Sequence, residues 1–396
     1  MSHNPKKIIL SPKALERRIK RQLKNRELSF YVPCMPNFED ILAKEIANLE
    51  NTTNIKKEHG GVSFEAPLDC IYHANLNLRT GHRVLLRIGG FLSQSYPMLY
   101  DHARKIPWEL YFGFNKSFSI KTSTKESRLM HHDNIAESLE AAINRRLNDI
   151  GLNVKQDKNA NTEIYLRLFQ DRATISLNTS GEHLHKRGYR KDHAKAALRE
   201  TLAASILLKS DMENFETIYD PMCGSGSFLI EAAQIASQQA PGLNRDFAFE
   251  GMPFFQESKW LRFKKEAIAK IQEPKLEIIG SDISKRNINI AKTNIAEAGF
   301  KDLISLAVAD ARAHSIQKPN LLIVANLPYG KRIMSEAEAK KLGANFAENL
   351  KENYQGSYFS LITTDSSPFN QKDFKFSKTN FTNGGLKVTL IQGMVG

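Results

Sequence analysis

Three acids and one glycine turn mark where this chain could hold a ligand. Asp220-Pro-Met-Cys-Gly-Ser-Gly226 follows a short apolar strand pattern and opens a helical one. Gly224 and Gly226 let the backbone turn close to a ligand, and the helix beyond offers free N–H groups to an anionic group. Asp220, Pro221, Cys223, Gly224, Ser225 and Gly226 are therefore candidate contacts. A dinucleotide loop expects a third glycine three residues on, where this chain has Leu229, and nicotinamide cofactors are disfavoured. Asp282 follows Glu277-Ile-Ile-Gly-Ser and Asp310 follows Leu306-Ala-Val-Ala, each at a carboxyl edge where open α/β sheets bind ligands. Asp282 is placed to accept from two ribose hydroxyls, and Asp310 from an adenine amino group.

This ordered set resembles the class I methyltransferases, whose fold binds S-adenosyl-L-methionine. The resemblance implies that the glycine turn and its helix hold the methionine portion and the two acids hold the adenosine. Further on, Asn326-Leu-Pro-Tyr-Gly330 is similar to the Asn/Asp-Pro-Pro-Tyr/Phe motif of methyltransferases that act on amino nitrogens. An exocyclic amino group is a poor nucleophile because its lone pair is delocalised into the ring. The side-chain oxygen of Asn326 and a backbone carbonyl near Pro328 would accept its two hydrogens while Tyr329 stacks on the base, aligning sulfur, methyl and nitrogen. Asn326, Pro328 and Tyr329 are the catalytic candidates, and no metal is required. Leu327 replaces the first proline, as in ribosomal RNA adenine-N6 dimethyltransferases, so the motif leaves the target base open. A base inside a duplex cannot reach such a site and must be unpaired or flipped out.

Charge points to the substrate class. Lys plus Arg number 56 against 43 Asp plus Glu, and the net charge of +13 attracts phosphate backbones or anionic surfaces. Lys186, Arg187, Arg190 and Lys191, interleaved with Tyr189, suit RNA phosphate contacts plus one stacking side chain. His183 and His185 have no acidic or thiol partner nearby in sequence, so no metal site is expected. Cys34, Cys70 and Cys223 are too few and too scattered for a disulfide framework, which fits a reducing cytoplasm. No run of about 18 apolar residues could span a bilayer, and the N-terminus lacks the apolar centre of a secretion signal. Neither a membrane nor an obligate protein partner is expected.

The scaffold divides into a basic arm and two halves. Residues 1–28 form a basic N-terminal arm, partly helical from Ala14 to Leu23, that either lies along RNA phosphates or is a solvated tail. Strand patterns at Phe30–Val32, Val62–Phe64, Phe118–Ser123, Glu163–Leu168 and Ala173–Asn178, with helical spacing at Ile41–Leu49 and Ile135–Leu147, predict an α+β half. A helix from about Ala194 to Leu208 then starts an α/β architecture. Strands at Thr217–Tyr219, Leu276–Gly280, Ile304–Val308 and Leu321–Ala325 alternate with helices, which predicts a parallel, Rossmann-like doubly wound sheet. Asn383-Gly384 signals a tight turn into a final antiparallel edge strand.

Read together, the chain resembles the THUMP-domain RNA methyltransferases, in particular the bacterial group that methylates guanine N2 of large-subunit (23S) ribosomal RNA. The resemblance rests on Leu184-His-Lys-Arg-Gly-Tyr-Arg190, Ala197-Leu-Arg-Glu-Thr-Leu-Ala-Ala204, Asp220–Gly226, Pro241-Gly-Leu-Asn-Arg245 and Asn326–Gly330. It implies a ferredoxin-like subdomain over 29–90, a THUMP RNA-binding subdomain over 91–181 and a class I methyltransferase domain over 182–396. The implied activity is guanine-N2 methylation of 23S ribosomal RNA or a large-subunit precursor. The alternatives are a transfer RNA guanine-N2 enzyme, an adenine-N6 methyltransferase of DNA or RNA, and a catalytically silent RNA-binding assembly factor.

Overall fold

The computed structural model describes residues 10–396 except 25, 113–116, 153, 158–159, 161, 191–196 and 330–334. Its first helix, α1 (Pro12–Ile19), is capped by Ser11, whose Oγ accepts from the Ala14 N–H, and continues as a π-turn over Lys20–Lys24. Leu15, Ile19 and Leu23 form one buried stripe. Arg18 donates to Glu109 at 2.7 Å, and Arg146 reaches the same carboxylate at 2.9 Å. Residues 10–24 of the basic arm are thus packed onto the first half, which corrects the picture of a free arm: the apolar stripe offsets the charged face.

The first half contains β1 (Leu28–Pro33), α2 (Glu39–Ala47), β2 (Thr53–Glu58), β3 (Gly61–Ala66), α3 (Cys70–Asn77) and β4 (Leu85–Leu92). It goes on through α4 (Tyr96–Lys105), β5 (Ser117–Lys125), α5 (His132–Asp149), β6 (Lys155–Gln156), β7 (Thr162–Phe169) and β8 (Arg172–Asn178). In β7 the buried Ile164, Leu166 and Leu168 alternate with more exposed residues, as a strand with one covered face requires. All eight strands form one sheet, in the order β2-β3-β1-β4-β8-β7-β5-β6. The two predicted subdomains are therefore fused through the antiparallel β4–β8 pair.

The second half contains α6 (Glu200–Lys209), β9 (Thr217–Asp220), α7 (Ser227–Ala236), α8 (Glu257–Ala269), β10 (Glu277–Asp282), α9 (Lys285–Glu297) and β11 (Ile304–Val308). After these come β12 (Leu321–Asn326), α10 (Glu336–Asn353), β13 (Tyr358–Thr363), β14 (Phe374–Asn383) and β15 (Leu386–Val395). The sheet order is β11-β10-β9-β12-β13-β15-β14, with the first five strands parallel. Leu321–Ala325 is buried at every position because helices cover both faces. The last strand is not the edge: β15 inserts antiparallel between β13 and β14, and β14 is outermost. Among the described residues no helix is long and apolar enough to cross a membrane.

The halves exchange core pieces. Phe247, Phe249, Trp260 and Phe263, from the segment between α7 and β10, join the core of the first half, with Tyr72 ringed by Phe249, Trp260 and Phe263 at centroid distances of 5.2–6.0 Å. Conversely Phe38, from the loop before α2, is fully buried in the second half's core, edge-on to Phe381.

Candidate cofactor and catalytic site

Strand order reverses between β9 and β12, the topological switch point at which open α/β sheets bind ligands. Asp220 ends β9. On one side Gly280 pairs with Asp220, so Asp282 projects two residues further along β10. On the other side Ile323 pairs with Tyr219, and Asn326 ends β12 beyond it. Three polar side chains therefore share one carboxyl edge.

The glycine turn crosses this edge and is pinned by it. Cys223 N–H donates to the Ser281 carbonyl at 2.9 Å, and Gly224 N–H donates to Asp282 Oδ2 at 3.0 Å. Gly224 and Gly226 sit at φ +54° and +85°, the left-handed region that side chains with a Cβ disfavour. Nothing lies within 4 Å of where a Gly224 Cβ would stand, so the turn opens onto free space. Helix α7 starts straight after Gly226 with no side-chain cap on its first N–H groups.

The two inner acids are built differently. Asp220 is buried and accepts from Met222 N–H at 3.0 Å; burial, then the charge of Asp282, pushes its carboxyl well above the usual carboxylate range. A cation placed here would restore its charge. Asp282 Oδ1 accepts from Ser284 N–H at 2.9 Å and Asn287 Nδ2 at 3.1 Å, so it also orders the start of α9. Asp310, just past β11, is more exposed and is gripped by its neighbour Arg312, at 2.6 Å from Nη2, which holds the carboxyl below its ordinary value. Two apolar residues that sequence reasoning missed stand exposed at the same edge, Ile283 and Val308, the latter in register with Asp282. The signal for Ile283 was its position directly after an edge acid.

At the end of β12 the buried Asn326 Oδ1 has no hydrogen-bond donor among the described residues. The backbone turns outward there: Leu327 N–H donates to the Ile362 carbonyl at 3.1 Å and its side chain is buried. A proline at 327 would lose that bond, which gives the departure from the commoner motif a structural reason. Pro328 follows, and Tyr329 OH accepts from Asn383 Nδ2 at 2.8 Å, so the β14–β15 hairpin tethers the aromatic ring. Gly330 lies outside the described residues.

The basic junction motif is mostly interior. Arg187 is 2% exposed and forms a two-point ion pair with Glu231, which is fully buried, at 3.1 and 3.2 Å; it also donates to the Arg79 carbonyl at 2.7 Å. Tyr189 lies in the second half's core. Arg190 pairs with Glu200 at 2.9 Å and donates to Ser227 Oγ at 2.8 Å. These three are corrected from RNA contacts to interior roles: Arg187 bridges the halves through the Arg79 carbonyl, and Tyr189 and Arg190 pack within the second half. Lys186 is exposed and pairs with Glu182, and Lys191 lies outside the described residues. Gly188, at φ +96°, would carry a Cβ only 2.0 Å from the Asn244 carbonyl oxygen, and Arg245 donates to the carbonyls of Ser180, Glu182, His183 and Lys186. The motifs at 184–190 and 241–245 are thus each other's partners. His183 takes a hydrogen bond from Arg83, and burial followed by nearby charge lowers His183 to about 4 and His185 to about 3. Among the described residues no group of His, Cys, Asp and Glu is arranged to hold a metal ion.

Comparison with known proteins agrees with this layout. An RlmL ferredoxin-like domain model matches residues 29–85, a THUMP domain model 93–178 and an RMKL-like methyltransferase domain model 187–391. Ribosomal RNA large subunit methyltransferase K/L of Psychromonas ingrahamii is 32% identical over 92% of this chain, and the chain spans about half (50%) of that relative's length. YpsC of Bacillus subtilis (strain 168), named for a proposed RNA methyltransferase activity, is 33% identical over 74% of this chain and 77% of its own. The crystal structure of SMU.472, a methyltransferase by assignment complexed with SAH, superposes with a TM-score of 0.84 at 28% identity, covering 94% of this chain and 99% of the other.

Proposed function

Since the chain belongs to the RMKL-like methyltransferase family, we propose that it methylates the N2 amino group of a guanine in large-subunit ribosomal RNA, with S-adenosylmethionine as donor, in the cytoplasm. The cofactor supplies an electrophilic methyl group on a sulfonium. The site fits it: the turn opens onto free space at Gly224, a cationic group beside buried Asp220 would favour its charged form, and Asp282 presents a carboxylate at the same edge.

The observation that carries the reaction type is the buried Asn326 Oδ1, which has no donor among the described residues. Leaving a buried acceptor unsatisfied costs about 1–3 kcal/mol, so the position is explained if a ligand N–H completes it. An amino group that donates to Asn326 has its lone pair turned toward the electrophile, and the Asn383-held ring of Tyr329 supplies a face on which the base stacks. Asn326 accepts without carrying full charge, so it stabilises the positive charge that develops on nitrogen without binding a cation in the ground state. The THUMP-model match and the names of the relatives support an RNA substrate, and those of the K/L group support large-subunit ribosomal RNA.

Incubation with methyl-labelled cofactor and undermodified large-subunit ribosomal RNA tests the reading. Label is expected in N2-methylguanosine. Label only in N6-methyladenosine, or transfer to duplex DNA in preference to RNA, would replace it with an adenine-N6 activity.

A further inference from the structure

Between the two halves lies a cavity of about 1480 Å³ whose wall carries seven Lys and Arg against four Glu and Asp. One side is formed by β5 and β7, where Lys121 and Tyr165 are register partners. The opposite side is formed by residues of 180–190 and 197–200, and there Arg190 reaches Ser227, the first residue of the helix that follows the glycine turn. The cavity thus leads from the strands of the first half to the back of the candidate cofactor loop.

Most of its cations are already used. Arg190 pairs with Glu200, Arg187 with Glu231 and Lys186 with Glu182, while Arg245 spends its donors on carbonyls. Three remain. Lys121 and Arg199 are exposed and have no carboxylate partner among the described residues. Arg83 lies over the Tyr165 ring and donates to His183, yet its Nη1 is buried without a hydrogen-bond partner, Glu163 standing off at 3.6 Å. The adjoining His183 and His185 are kept neutral by burial and by Arg83, Arg187 and Arg199. A buried donor left with only a carboxylate at 3.6 Å, two cations without a carboxylate partner among the described residues and a field that repels protons are what an anion would satisfy.

We propose that this cavity is a phosphate-binding track for the RNA chain, with Lys121, Arg199 and Arg83 contacting its phosphodiester groups. The inference rests on the RNA methyltransferase reading and moves RNA contact away from Arg187, Tyr189 and Arg190, which are committed to internal partners. Phosphate contacts fix the register of an RNA without reading its sequence, so the track would align the chain while the catalytic edge selects the base.

The test uses the full chain. Binding of in vitro transcribed large-subunit ribosomal RNA is measured over a salt series for wild type, for a variant carrying Lys121→Ala and Arg199→Ala, and for Lys301→Ala, an exposed charge in the loop between α9 and β11. Both target side chains are exposed, so the double variant should melt like wild type and bind S-adenosylhomocysteine normally. Its RNA affinity should fall severalfold, and the slope of log K against log salt should shrink by about 0.7–0.9 for each phosphate that is no longer neutralised. Lys301→Ala should change neither. Arg83→Lys, which keeps the charge but loses the fork, should weaken binding less than the double variant. Unchanged affinity and slope in the double variant, while wild type binds RNA, would overturn the track and leave the enzyme reading standing. Guanosine monophosphate binding as tightly as RNA would make this a free-nucleotide pocket and also overturn it. Failure of wild type to bind RNA while it binds S-adenosylhomocysteine would sink the RNA reading itself.

Discussion

Asn326 and Asp282 stand at the same sheet edge and do opposite things with their oxygens. Among the described residues Asn326 Oδ1 takes no hydrogen bond, whereas Asp282 already accepts three, from Gly224, Ser284 and Asn287. Asn326→Ala should therefore leave the Kd for S-adenosylhomocysteine unchanged while kcat falls about 10²-fold or more, the loss typical when one group acting on developing charge is removed; equal turnover would remove Asn326 from the mechanism. Asp282→Asn should be worse than its small size change suggests. An amide there must turn its NH2 toward the Gly224 N–H or toward the donors of Ser284 and Asn287, at about 1–3 kcal/mol for each unsatisfied buried group. Calorimetry should find weaker cofactor binding and a lowered Tm, and an unchanged Kd would refute the assignment. The acids, the glycines and the asparagine were legible because their chemistry demands those residue types at strand ends. Arg187, Tyr189 and Arg190 were misread because a basic, aromatic run looks the same whether it faces RNA or a buried glutamate. Only Glu231, 44 positions away from Arg187, decides it.

At the scale of elements, the catalytic turn is held from two sides. Leu327 N–H continues the pairing of β12 with β13. Leu327→Pro, which would restore the commoner motif, should cost about 1–3 kcal/mol in urea unfolding because the Ile362 carbonyl loses its donor. Stability equal to wild type would show that this bond carries no weight. Tyr329 is held by the hairpin through Asn383. Asn383→Ala should lower kcat while cofactor affinity stays constant, since nothing in the glycine turn depends on it. Phe38 and Asn37 join the first half to that same hairpin, Asn37 donating to the Asn380 carbonyl at 2.7 Å. The parallel strands were readable from continuous apolar runs between helical ones. The order of β15 and β14 was not, because both obey the same hairpin turn, and which of them meets β13 depends on packing far from Asn383.

The whole molecule is a joint between two cores. Arg187 stands at it, paired with Glu231 inside the second half and donating to the Arg79 carbonyl of the first, and breaking a buried pair by removing one partner typically costs about 3–5 kcal/mol. Arg187→Ala should lower the unfolding midpoint by that order and expose residues 240–267 to limited proteolysis; resistance equal to wild type would count against Arg187 as the link. The same joint carries a pH dependence. His82 and His183 are lowered to about 4 and His185 to about 3, by burial first and then by Arg83, Arg199 and neighbouring cations, with Glu182 opposing at His183. The unfolded chain, with histidines near their ordinary 6.5, binds more protons between these values, so stability is full above about 6.5 and is lost as the pH falls toward 4. Urea midpoints should drop over that window, less steeply in a variant with His183→Gln and His185→Gln, and identical slopes would contradict the account. The interlocking itself could not be read from sequence. Trp260 and Phe263 follow a helical spacing that fits either half, and Phe38 is one aromatic in a loop. Their partners are fixed only by long-range contacts.

The central claim concerns the atom that receives the methyl group. Nucleosides from the large-subunit ribosomal RNA of cells with and without the gene, resolved by mass spectrometry, address it directly. One N2-methylguanosine should disappear when the gene is removed and return with the intact gene but not with Asn326→Ala. An unchanged N2-methylguanosine content together with loss of a methylated adenine would contradict it.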